Sequence, residues 1–305
     1  MEVTIDQLKE RIEILHSSIQ VEPINKGFSM EHKYLVITES KDRLLLRVMP
    51  IEQFDRKQIE FGIIQHMYHS GVKAPKPVTI GKIDDLNVCY YLLSYIDGTD
   101  AIDGLPHCPP DVQYIVGCEA GKDLRRMHQY EAPSDVVPWY QRQMHKYTAY
   151  VETYKTLDVK VKNEDRMLDF ITRQERYLRN RPSRFQHDDF HVGNIIVDGG
   201  TYAGVIDFNR FDWGDPIHDF VKVGFFSREV SIPFCKGQLD GYFENAVIPI
   251  DFWKLYNVYV AMTIISSVVW TLRVVPHTID DMMERIERVL EDHKYFELTI
   301  PSWFS

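Results

Sequence analysis

The chain changes its hydrophobic period once, at a proline-rich break, and that change restricts the fold more than any other feature. Up to about residue 96, short β-like runs alternate with two helical segments; from residue 111 onward, apolar residues recur at helical spacing over most of the chain. Between the two regimes lie Asp97-Gly98-Thr99-Asp100 and then Pro106, Pro109 and Pro110, which extend neither a helix nor a central strand. The expected organisation is two lobes, a small sheet-bearing one over 1–97 and a larger, mostly helical one over 98–305. A length of 305 residues suits two cores better than one.

The first lobe reads in detail. Thr4 with Gln7 forms a capping box, after which Ile5, Leu8, Ile12, Leu15 and Ile19 fall on one helical stripe. Strands are expected over 20–24, 33–38 and 44–49, the last an apolar run interrupted by Arg47 alone, with a turn containing Gly27 between the first two. A helix follows over 54–70, ending before Gly71, with Ile59, Ile63, Ile64 and Met67 as its apolar face. Strands over 76–81 and 87–96 complete a five-stranded antiparallel sheet. In the second lobe, helices are expected over 111–128, 139–154 and 164–178. A short strand pair around 194–207 comes next, and then helix to about 293.

Composition removes several functions. With 45 acidic against 35 basic side chains the net charge is −10, so a nucleic-acid partner is not expected and a small, cationic substrate fits the balance better. Cys89, Cys108, Cys118 and Cys235 are scattered without a CxxC pair, which suits neither a disulfide scaffold nor a zinc site. The first fifteen residues mix acids into amphipathic spacing, unlike a signal peptide. The 18 uncharged residues between Lys254 and Arg273 include Asn257, Thr263, Ser266, Ser267 and Thr271, so they read as a buried core helix rather than a membrane span. A soluble, cytoplasmic protein without a membrane partner is expected; the oligomeric state stays open.

The chemistry concentrates in 185–207. Two apolar runs, 195–197 and 202–206, flank Asp198-Gly199-Gly200 and should pair as a hairpin. Pairing would bring Asn194, at the start of the first run, to within about two residues of Asp207 at the end of the second, at roughly 3.3 Å per residue. An amide oxygen and a carboxylate at one strand end suit magnesium, a hard cation that shares its shell with water and phosphate. Asp189, in the loop feeding that end, would be free to orient a hydroxyl and accept its proton. Positioning, charge neutralisation and one base are what phosphoryl transfer requires.

The pattern His187-x-Asp189-x-x-x-x-Asn194, then Asp207, then Gly214-Asp215-Pro216-x-x-Asp219 resembles the catalytic segment of the aminoglycoside phosphotransferase family. The resemblance implies an α+β, protein-kinase-like two-lobed fold. It also implies transfer of the γ-phosphoryl group of ATP or GTP to a hydroxyl of an aminoglycoside-like antibiotic. Asp189 would then be the catalytic base, Asn194 and Asp207 the Mg2+ ligands, and His187 an organiser of the loop. In the small lobe, the Gly27-Phe28-Ser29 turn would cover the phosphates, with Gly27 and Ser29 at the nucleotide. Arg47 stands where the family has a phosphate-contacting lysine, Glu60 where its pairing glutamate belongs, and Ser94-Tyr95-Ile96 where the purine-binding hinge lies. Two departures stand out. Asp188 replaces the usual glycine and adds a negative charge beside the base, and Arg47 brings a fork of different reach from lysine.

Other readings remain open. Related enzymes phosphorylate macrolides, choline, thiamine, homoserine or sugars. A nucleotide-binding module with little catalysis and a metal-dependent hydrolase using His187, Asp188 and His191 are further classes. Against the hydrolase, Gly193 and the run into a strand make that stretch a loop. Asp215, just before Pro216, and Asp219 read as caps on the following helix. The acids Asp240, Glu244, Asp280, Asp281 and Glu284 are candidates for binding ammonium groups, although a solvated surface is the default for each.

Overall fold

A computed structural model describes residues 3–25 and 31–305. Gly27 and Ser29 lie outside the described residues. The chain divides into two compact units, Met1–Gly98 with Ala203–Asn209, and Thr99–Tyr202 with Arg210–Ser305.

In the first unit, α1 (Ile5–Arg11) and α2 (Glu13–His16) lead into strands β1 (Ser18–Pro23), β2 (His32–Thr38) and β3 (Arg43–Pro50). Helix α3 (Phe54–His69) follows, then β4 (Pro77–Ile83) and β5 (Val88–Ser94). The five strands form an antiparallel sheet in the order β1-β2-β3-β5-β4. The capping box is present: the Gln7 N–H donates to Thr4 Oγ1 at 3.3 Å and the Thr4 N–H to Gln7 Oε1 at 2.9 Å. The single N-terminal helix expected from the stripe is instead two, because Ile12 adopts φ −110 and ψ 105. That kink still buries Leu8, Ile12 and Leu15 against Val36, Leu46 and Leu92. Ile19 leaves the stripe, since it already belongs to β1 and is 63% exposed.

Helix α3 also corrects the apolar face. Ile63, Ile64 and Met67 are buried, but Ile59 is 60% exposed and the inward positions of the preceding turns are Lys57 and Glu60. Two charged side chains on a buried helix face need partners, and they have them, as described below. The segment 203–209 belongs to this unit through a main-chain bond from the Val205 N–H to the Lys73 carbonyl at 2.9 Å. Gly204 makes that approach feasible, because a Cβ there would lie 2.3 Å from the Lys73 oxygen.

The second unit begins with β6 (Thr99–Asp100) and α4 (Ala101–Gly104), then α5 (Pro110–Met127), α6 (Trp139–Lys155) and α7 (Glu164–Gln174). Strands β7 (Arg184–Gln186), β8 (Ile195–Asp198), β9 (Thr201–Val205, its last three residues counted with the first unit) and β10 (Asp212–Gly214) come next. The chain closes with α8 (Arg228–Val230), α9 (Ile232–Tyr242), α10 (Ile250–Val274) and α11 (Ile279–Asp292). The mostly helical stretch expected from 207 to about 293 is interrupted by β10, which pairs antiparallel with β7, and by a π-helical turn at Val223–Ser227. The turn between β8 and β9 uses Gly199 and Gly200 at φ +54 and +79. Helix α10 is long and apolar enough to cross a membrane by length and composition, yet 72% of its apolar window is buried in the protein.

Helices α5 and α9 approach through glycines on both sides. A Cβ on Gly117 or Gly121 would meet the Phe234 or Gln238 carbonyl at 2.2 or 2.1 Å, and one on Gly237 or Gly241 would meet the Tyr114 or Cys118 carbonyl at 2.1 Å. Backbone-to-backbone packing of this kind fixes the helix pair without large side chains.

Candidate active site

The loop between β7 and β8 carries His187, Asp188, Asp189 and Asn194, and a single buried carboxylate holds its start. Asp219, 1% exposed, accepts the His187 N–H at 2.9 Å and the Asp188 N–H at 2.7 Å, and lies 3.0 Å from His128 Nε2. Asp188 adopts a left-handed backbone, φ +57, which these bonds secure. Asp219 therefore does not cap a helix, as its sequence position suggested; it fixes the loop. Asp215 does cap, accepting the Ile217 N–H at 3.1 Å, and is held by Arg181 at 2.5 Å and the Tyr259 hydroxyl at 2.8 Å.

His187 is fully buried and stands edge-on to Phe190, 5.7 Å between centroids. Its position fits an organising role. Asp188 contacts His218 at 3.3 Å. Burial alone would raise its pKa, but His218, Lys222 and Lys146 outweigh burial and bring it down to about 2.

The Asp189 carboxylate collects donors. Lys222 Nζ lies 3.1 Å away, His191 Nε2 3.6 Å and Arg210 Nε 3.8 Å. Asn194 Nδ2 donates to the Asp189 carbonyl at 2.8 Å and to its carboxylate at 3.2 Å. Burial pushes the acid upward, yet His191, Lys222 and Arg210 together hold it well below the usual carboxylate range. An ionised carboxylate of this kind orients a hydroxyl strongly and takes up its proton late. Because the Asn194 nitrogen is turned to Asp189, its amide oxygen remains as the atom able to meet a cation. Among the described residues, no cluster of three His, Cys, Asp or Glu side chains is placed to hold a metal ion. That disposes of His187, Asp188 and His191 as a transition-metal triad, while magnesium needs only one or two protein oxygens.

In the first unit, Arg47 is 4% exposed at the centre of an ionic network. Its Nε donates to Glu31 at 2.7 Å, and its Nη1 lies 3.4 Å from Asp207 Oδ1 and 3.8 Å from Glu60 Oε1. Lys57 bridges Glu31 at 2.6 Å and Glu60 at 2.7 Å, and the Tyr91 hydroxyl donates to Glu60 at 2.9 Å. Burial acts against the Arg47 charge but is outweighed by Tyr91, Glu31, Glu60 and Asp207, so the guanidinium pKa rises. The expected Arg47–Glu60 pair is thus a long contact inside a larger set. The close partner of Arg47 is Glu31, and the close partner of Glu60 is Lys57. Neither Glu31 nor Lys57 stood out in the sequence; the one available signal was that Lys57 and Glu60 share the buried face of α3.

The hinge segment continues β5. The Ser94 N–H donates to the Lys76 carbonyl and the Tyr95 N–H to the Arg43 carbonyl, both at 2.8 Å. These two amides are therefore engaged within the protein. Ile96 packs its Cδ1 against Gly204.

The profile of the phosphotransferase enzyme family matches residues 20–252, well over half of the chain. The chain belongs to the phosphotransferase enzyme family. It is a phosphotransferase with an alcohol group as acceptor, and its fold is the α+β, protein-kinase-like one. No curated protein sequence matches it. Among solved structures it is similar to aminoglycoside phosphotransferase APH(4)-Ia, with TM-score 0.68 and 16% identity over 94% of this chain and 97% of that one. The GDP complex of wild-type aminoglycoside 2'-phosphotransferase-IIIa is similar at TM-score 0.67 and 16% identity, covering 94% and 97%. The GDP and kanamycin complex of APH(2")-IIia aligns at 0.66 and 18%, covering 93% and 97%. At these identities the structural likeness speaks for the fold.

Proposed function

We propose that this phosphotransferase moves the γ-phosphoryl group of a purine nucleoside triphosphate onto a hydroxyl of a small molecule, with Asp189 as the group that orients that hydroxyl. The observation that carries the reading is the Asp189 carboxylate, ionised, partly exposed and fixed by Lys222 and Asn194 on a loop anchored through Asp219. As the new O–P bond forms, the hydroxyl proton passes to Asp189 and the nucleoside diphosphate departs with the bonding electrons. By the family pattern, Asn194 and Asp207 are the residues that would hold magnesium, which when bound would neutralise phosphate charge. Arg47, kept charged by its carboxylate partners, steadies the phosphates, and His187 keeps the loop in shape. The choice between ATP and GTP is left to nucleotide competition.

Complexes of similar structures with GDP and kanamycin support a nucleotide donor and a small-molecule acceptor. An aminoglycoside-like acceptor has the support of those names only. The acids proposed to receive its ammonium groups are partly engaged already, Asp240 by the Tyr114 hydroxyl at 2.7 Å and Glu244 by Arg125 at 2.5 Å. A small alcohol of wider class is therefore the conclusion.

The test compares Asp189→Asn with Asp207→Asn. The first is expected to lower transfer by about 10²–10⁴-fold with nucleotide affinity nearly intact. The second is expected to weaken magnesium-nucleotide binding as well. Equal losses of both properties in both variants contradict the assigned roles.

A further inference from the structure

The surroundings of Asp189 carry the opposite sign from the protein as a whole. Around it and Asp188 stand Lys222, Arg210 and Lys146, the last acting on Asp188. The cationic character continues across Phe226. Lys222 Nζ lies 5.6 Å from that ring and Arg285 Cζ 4.8 Å, while the His191 ring lies tilted with its centroid 5.0 Å away. Beyond it, Arg285 at 2.9 Å and Arg288 both pair with one carboxylate, Glu229. Five permanent cations thus face three carboxylates, Asp188, Asp189 and Glu229, in a chain whose net charge is −10. The exposed acids Asp280, Asp281 and Glu284 of α11 take no part in these pairs.

Excess charge of this kind has a physical consequence. Lys222, Arg285 and Arg288 keep 16%, 25% and 21% of their side-chain surface exposed. They are partly desolvated, so like charges brought alongside are repelled more than they would be in open water. A polycation placed with its hydroxyl at Asp189 would set ammonium groups against these side chains. An acceptor bearing a carboxylate or phosphate would instead meet the Lys222 ammonium and the Nη1 of Arg285, whose Nε and Nη2 already hold Glu229.

We infer that the acceptor alcohol carries an anionic group, which binds on the Phe226 face between Lys222 and Arg285 while its hydroxyl meets Asp189. The inference rests on the phosphotransfer reading of Asp189. It narrows the substrate class to hydroxy acids or phosphorylated alcohols and excludes polycationic aminoglycosides.

The experiment measures nucleotide consumption by the full chain with two panels of opposite charge. The anionic panel is glycerate, gluconate and glycerol 3-phosphate; the cationic panel is choline, ethanolamine and kanamycin. Stimulation is expected from the anionic panel at least tenfold above the cationic one, declining as salt is raised. Arg285→Met is expected to raise the KM of the stimulating acceptor about tenfold, with partial recovery in Arg285→Lys and with nucleotide Kd within twofold of wild type. Stimulation by the cationic panel overturns the inference. So does a matching loss of nucleotide affinity in Arg285→Met, which would assign the cations to the donor phosphates. Calorimetric titration with the anionic panel reads the face without turnover. Anions that bind wild type but not Arg285→Met, in the absence of any transfer, uphold the face and fail the kinase reading. Anions that neither bind nor react overturn the inference even where another alcohol is phosphorylated.

Discussion

The two charged clusters of this phosphotransferase are built on different terms. In the first unit, Arg47 and Lys57 share Glu31, Glu60 and Asp207, and four of these five side chains are 10% exposed or less. In the second, Asp189 and Glu229 are each approached by two permanent cations, and every participant keeps some contact with solvent. Ions removed from water survive only when each is matched, because an unpaired buried charge costs several kcal/mol. The first cluster meets that condition internally and serves as a rigid support for one guanidinium. The second leaves positive charge in excess, which is tolerable near solvent and useful where an anion must arrive.

Three experiments sharpen or break this contrast. Glu60→Ala removes a carboxylate that serves Lys57, Arg47 and the Tyr91 hydroxyl, so stability in chemical denaturation is expected to fall by about 3–5 kcal/mol. A loss below about 1 kcal/mol would mean that the buried network is not mutually dependent. Lys222→Met breaks one charge-assisted contact to Asp189, worth roughly 1.5–3 kcal/mol. The expected result is a ten- to hundredfold fall in kcat with the melting temperature lowered by no more than a few degrees, and a much larger melting shift would show the exposed cluster to be structural after all. The smallest effect concerns His293, buried between Tyr256 and Phe296 with neither ring nitrogen hydrogen-bonded to any described residue. Burial lowers its pKa from 6.5 to about 3. Above pH 6.5 the ring is neutral folded or unfolded; below it only the unfolded chain takes up the proton. Stability therefore falls as pH drops from 6.5 toward 3, by at most about 1.4 kcal/mol per unit. His293→Phe, which keeps the stacking, is expected to flatten that slope in denaturation series.

Local patterns were legible wherever one short stretch contained the whole signal. The capping box of Thr4 and Gln7, the strands either side of Arg47, and the glycine turn at Gly199 and Gly200 all depend on neighbours in sequence. Strands β7 and β10 were not legible, since three residues show no period. The N-terminal stripe misled because Ile12 meets the core equally well from a kink. At the candidate site, the spacing from His187 to Asn194 marked the loop. Nothing local marked its supports, because Lys222 lies 33 residues from Asp189 and Asp219 lies 32 from His187.

The amino-acid order by itself determined the sheet-then-helix division, the family pattern and the candidate residues for the chemistry, because period and motif spacing are properties of adjacent residues. Only the tertiary structure decided which charges meet. It gave Arg47 to Glu31 rather than chiefly to Glu60, tied the loop to Asp219, and gathered an excess of cations beside Asp189. Pairing energies depend on distance and burial, and neither exists until segments far apart in the chain have folded against one another.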